Sequence, residues 1–113
     1  MRAHQLSLFA AAAAMFIFPV SQPVSAQEIS YALTIKDKTF EPSILQVKAG
    51  VKFQLKVTNG SAKQAEFESY ELGREKVIAP GATVTIYLGP LEPGAYPFFD
   101  DFNQSNIGKI IAK

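Results

Sequence analysis

The pattern of this 113-residue sequence predicts an all-β fold, a sandwich or barrel of short strands. Two segments, residues 29–36 and 51–58, alternate apolar and polar side chains with a period of two. That period puts successive side chains on opposite faces of a half-buried strand. Around them, Gly and Pro turns recur at the close spacing of sandwiches and barrels. The chain has no internal repeat and no low-complexity stretch.

The N-terminus reads as an export signal. Arg2 and His4 form a short positive region, residues 6–20 an apolar run, and Val24-Ser25-Ala26 a small-residue cleavage motif. The apolar run, about 15 residues, is shorter than the ~18–20 that span a bilayer. No Cys follows it, so a lipid anchor is excluded. The expected division is a signal peptide over 1–26 and one domain over 27–113, released into the periplasm and not membrane-spanning after cleavage.

The strands follow in order. Ile29, Tyr31, Leu33 and Ile35 form one face of the first, and Phe40 with Glu41-Pro42 marks a turn. Residues 44–47 make a short strand closed by Ala49-Gly50. Val51, Phe53, Leu55 and Val57 alternate with Lys52, Gln54, Lys56 and Thr58, and Asn59-Gly60-Ser61 ends that strand. Residues 62–74 show no clean period and read as a loop with room for one helical turn. Strands at 76–78, 83–88, 96–99 and 109–112 complete the set, separated by Pro80-Gly81, Gly89-Pro90 and Pro93-Gly94. The expected inward residues are Tyr31, Leu33, Ile35, Phe40, Phe53, Leu55, Val57, Val84, Ile86, Tyr96, Phe98 and Ile110.

Composition removes several functions. The whole chain has no Cys, one His (His4) and two Met (Met1, Met15), all three within the signal. Cleavage also removes Arg2 and leaves a domain of zero formal charge, with no electrostatic footprint for nucleic acid. Hydrophobic packing alone must hold the fold, because no disulfide can form. Catalysis by a nucleophile or general base is not expected: residues 27–113 hold no Cys or His, and no Ser with a visible base.

Three pieces carry a family resemblance: T-I-K-D-K-T-F-E-P-S-I-L-Q-V-K-A-G (34–50), V-K-F-Q-L-K-V-T-N (51–59), and G-A-Y-P-F-F-D-D-F-N (94–103) with I-G-K-I-I (107–111). Their order and spacing resemble a cupredoxin, which implies a Greek-key β-sandwich of seven to eight strands. Residues 66–78 and 89–99 resemble a subgroup, the periplasmic cupredoxin-like components of bacterial iron uptake and the EfeO-type proteins. That resemblance implies handling of Fe(II), Fe(III) or copper outside the inner membrane. It also implies an iron permease and a periplasmic iron-binding protein as partners.

The copper ligands of a cupredoxin do not carry over. Gly94, Tyr96 and Phe98 match the G-x-Y-x-F-x-C strand, but Asp100 stands at the Cys. Asn103 and Ala65 stand at the two His positions, and Asn106 at the Met. Type 1 copper needs a thiolate and imidazoles, so none is expected. The remaining donors are oxygens. Glu66 and Glu68 share one face if their segment is extended. With Asp100 and Asp101 they are the candidate metal ligands, a hard donor set suited to Fe(III), Mn(II), Ca(II) or Mg(II). They are expected to meet where two loops converge at one end of the sandwich. The alternative is a structural cluster, with Arg74 and Lys76 neutralising Glu68 or Asp100. At the level of function, the alternative is a non-metal protein-interaction module that kept the scaffold and lost the site. Tyr70, Phe99 and Phe102 would then be core, rim or partner-contact aromatics.

Overall fold

The computed structural model describes residues 11–19 and 28–113; the cleavage motif at 24–26 lies outside the described residues. Residues 28–113 form nine strands in two sheets. They are β1 (Ile29–Ile35), β2 (Phe40–Glu41), β3 (Ile44–Val47), β4 (Phe53–Asn59), β5 (Ala65–Ser69), β6 (Arg74–Ile78), β7 (Thr83–Leu88), β8 (Gly94–Asp100) and β9 (Asn103–Ala112). One sheet has the order β2-β1-β4-β7, the other β3-β9-β8-β5-β6. β1 runs parallel to β4 and β3 parallel to β9; the other pairings are antiparallel. No helix occurs among the described residues.

Nine strands exceed the seven to eight expected for two reasons. β2 is only two residues long, and the segment read as a loop at 62–74 is largely the β5–β6 hairpin. The period of two was there: Ala65, Phe67 and Ser69 face inward while Glu66 and Glu68 alternate with them. It is masked because the inward residues flanking Phe67 are small, and Ser69 is polar. Ser69 is nonetheless buried, donating from Oγ to Pro97 O at 2.7 Å.

The core lies between the sheets. Leu33, Ile35, Leu55, Val57, Phe67, Phe98 and Ile110 are essentially inaccessible. Phe98 is edge-on to Phe40, with centroids 4.8 Å apart, and tilted against Phe67 at 5.3 Å. Most of the expected inward residues are buried; Tyr31, Val84 and Tyr96 are half-buried and pack against the rim. The two tyrosines sit there because each hydroxyl reaches a polar partner: Lys48 N–H donates to Tyr31, and Tyr96 donates to Glu92 O.

One buried polar residue sets where β5 begins. Asn59 ends β4 with no exposed surface. Its Nδ2 donates to Lys63 O at 2.7 Å and Ile78 O at 2.9 Å. Its Oδ1 accepts from Ser61 N at 2.9 Å and Ser61 Oγ at 2.7 Å. The crossover at 60–64 is thereby folded onto the end of β6, and β5 enters the second sheet with Ala65 opposite Ile78.

Candidate metal centre

The alternation of β5 directs Phe67 into the core and turns Glu66, itself buried, and the half-buried Glu68 to the opposite face of the five-stranded sheet. The hairpin register sets Glu68 opposite Glu75 on β6 and opposite Phe99 on β8. Asp101 occupies the turn between β8 and β9; its N–H donates to Glu66 O at 2.9 Å, which holds that turn against β5. Glu66, Glu68 and Asp101 each present a carboxylate oxygen, and the three oxygens lie within 4.8 Å of one another. Oxygens bound to one ion at ~2.0–2.6 Å are separated by no more than ~5 Å, so the spacing fits a single hard cation.

Asp100 does not join them. It is 5% exposed, and its Oδ1 accepts from Glu66 N at 2.9 Å and Phe102 N at 3.1 Å. It closes the β8–β9 turn and ties it to β5, a structural task for which a buried carboxylate with two backbone donors is well suited. The four expected carboxylates therefore do not all gather. Three lie on the outer sheet face beside the turn, because Glu66 and Glu68 belong to a strand rather than a loop.

Neutralisation by Arg74 and Lys76 is also absent. The one salt bridge among the described residues is Lys36–Glu41, at 3.3 Å. Arg74 donates instead to the carbonyls of Leu72, Gly73 and Tyr87. The neighbours of the cluster are acidic. Glu66 is pushed above the ordinary carboxylate value by desolvation, then by the charges of Glu75, Asp101, Glu68 and Asp100. Glu68 is raised by desolvation, then by Asp101 and Glu75. Tyr70, its ring 5.5 Å from that of Phe99, is raised chiefly by Glu68.

The residues at the four positions expected for copper ligands do not have the chemistry of type 1 copper. Ala65 offers no donor, and Asp100 is engaged by backbone N–H groups. Asn106 is 1% exposed and donates from Nδ2 to Lys36 O, and Asn103 donates to Asp37 O. With no Cys in the chain, there is no blue-copper site.

A two-sheet Greek-key sandwich of nine strands defines the class. The cupredoxin-like domain family matches residues 8–112, and the chain belongs to it. A relative in Rickettsia prowazekii (strain Madrid E), uncharacterized protein RP394, is 43% identical over 72 residues. That match covers 64% of this chain and 58% of the relative's length. Among solved structures, the metal-binding domain of the Cu(I)-exporting P-type ATPase CopA of Streptococcus pneumoniae D39 has a TM-score of 0.67. It is 16% identical, covering 74% of this chain and 84% of that one. Auracyanin from Roseiflexus castenholzii has a TM-score of 0.65 at 14% identity, covering 76% and 98%. Amicyanin from Paracoccus versutus has 0.59 at 18%, covering 80% and 86%. At these identities the likeness is one of fold.

Proposed function

We propose that this protein is a periplasmic accessory of bacterial iron uptake that holds or relays iron on Glu66, Glu68 and Asp101. The observation that carries the reading is the meeting of three carboxylate oxygens within 4.8 Å, with no cationic side chain paired to them among the described residues. Mutual repulsion of unpaired carboxylates is relieved by a cation. The resemblance of residues 66–78 and 89–99 to iron-uptake components supports iron as the metal, with an iron permease and a periplasmic iron-binding protein as partners. The signal-like pattern over 1–26 supports export to the periplasm.

The cluster has no redox group of its own. Its contribution to Fe(II) oxidation would be electrostatic: three carboxylates attract a trivalent ion more strongly than a divalent one. The electron acceptor would sit on a partner.

Titration of metal-free protein with anaerobic Fe(II) and with Fe(III) citrate tests the proposal. One saturable equivalent should bind and raise the melting temperature, by about 2.7 kcal/mol of stabilisation at a hundredfold excess over Kd. Glu68→Gln and Asp101→Asn should lose that response. Asp100→Asn should lower the melting temperature yet keep the response, since Asp100 supports the turn. A metal response that survives Glu68→Gln undiminished would refute the site.

A further inference from the structure

We infer that the outer face of the five-stranded sheet docks an extended segment of a partner protein that is basic at one end, apolar in its middle and acidic at the other. A groove of about 440 Å³ crosses β3, β9 and β8 on this face, lined by Ile44, Pro97, Phe99, Ile107, Gly108 and Lys109 among others. Ile44 is 53% and Ile107 65% exposed, unusual for side chains of this size in adjacent strands. Gly108, between Ile107 and Lys109 on β9, turns to the inner face, where a Cβ would meet the Phe98 ring at 2.5 Å and Ser43 O at 2.8 Å.

The groove is bounded by opposite charges. At one end Lys109 pairs in register with both Ile44 on β3 and Pro97 on β8. At the other, Phe99 pairs with Ile107 and with Glu68, beyond which lie Glu66, Glu75 and Asp101. From Pro97 to Asp101 the chain advances four residues, about 13 Å at ~3.3 Å per residue. That length accepts four or five extended residues. Charge complementarity sets the occupant: a Lys or Arg against the carboxylates, small or branched apolar side chains over Ile44, Ile107 and Phe99, and an acidic group near Lys109. The exposed ring of Tyr70, against Phe99, gives the basic side chain an aromatic face. The docking face requires no metal ion, although a bound ion would compete for the same carboxylates.

The test uses a fluorescent pentapeptide, Arg-Ser-Ile-Ser-Glu, whose Arg, Ile and Glu share one face when extended, titrated by anisotropy into the purified protein with chelator present. Saturable binding is expected. It should weaken about tenfold or more when the peptide's Arg becomes Glu or its Ile becomes Ser. Ile107→Ser in the protein should have the same effect. Ile107 is exposed, so that variant should keep its melting temperature. Glu68→Gln should weaken binding and flatten its salt dependence. Lys56→Gln, on the opposite sheet, should change nothing. Absence of saturable binding up to about millimolar peptide, or equal binding by Ile107→Ser, overturns the docking face. Loss of the iron response with peptide binding retained would overturn the metal site alone, and the converse would overturn the docking face alone.

Discussion

Replacing Asn59 by Ala tests how the site strand is held in place. The side chain is fully buried and makes four hydrogen bonds, to Lys63 O, Ile78 O, Ser61 N and Ser61 Oγ. Truncation leaves Ile78 O without this donor in a buried setting, which costs about 1–3 kcal/mol. The partners at Lys63 and Ser61 are part-buried and partly recover hydrogen bonds from water, adding about 1 kcal/mol. A loss near 3 kcal/mol is large against the ~5–15 kcal/mol of a typical domain. In a domain of this size it lowers the melting temperature by about 12–24 °C. Thermal unfolding followed by far-ultraviolet circular dichroism measures it. Asn59→Asp sharpens the test. It keeps the acceptor but turns a carboxylate oxygen toward the Lys63 and Ile78 carbonyls. At neutral pH it should melt below Asn59→Ala, and it should recover on acidification as the carboxyl gains a proton to donate. A shift below about 4 °C for Asn59→Ala, or an Asp variant more stable than the Ala variant at neutral pH, would refute this account of the crossover.

Three other outcomes are expected. Glu66 and Glu68 are raised in the folded state above the ordinary 4.5. Between that value and the raised ones the folded protein therefore binds more protons than the unfolded chain. The two groups thus make metal-free protein more stable as pH falls through that window, and Glu68→Gln should show a smaller gain; identical pH–melting profiles would contradict the cluster. Phe98→Ala should cost about 3–5 kcal/mol, and Gly108→Ala, by driving a methyl into the Phe98 ring, about 1–3 kcal/mol; denaturant melts of both variants measure these losses. Protein loaded with Cu(II) should lack the intense visible band of a copper–thiolate bond, and its appearance in the absorption spectrum would overturn the exclusion of a blue-copper site.

Much of the architecture was legible in local pattern. The alternations along β1 and β4 are driven by large apolar side chains, and a one-residue slip would expose every one of them. The absence of a blue-copper site needed only the missing Cys. The β5 strand escaped notice because Ala65 and Ser69 bury their faces without looking apolar or large. Charge partners were equally hidden. Nothing in the local sequence tells Asp100 from Asp101, yet neighbouring residues on a strand end and its turn point in different directions. Asp100 turns inward to two backbone N–H groups, while Asp101 meets Glu66 and Glu68 outside. Arg74 and Lys76 are close to Glu68 along the chain, but hairpin register puts Glu75 opposite it. Linear order specifies which side chains are available and which face each strand must bury. Which carboxylates approach within 4.8 Å depends on the pairing of β5 with β8 and the β8–β9 turn, contacts between residues more than thirty positions apart that local sequence cannot encode.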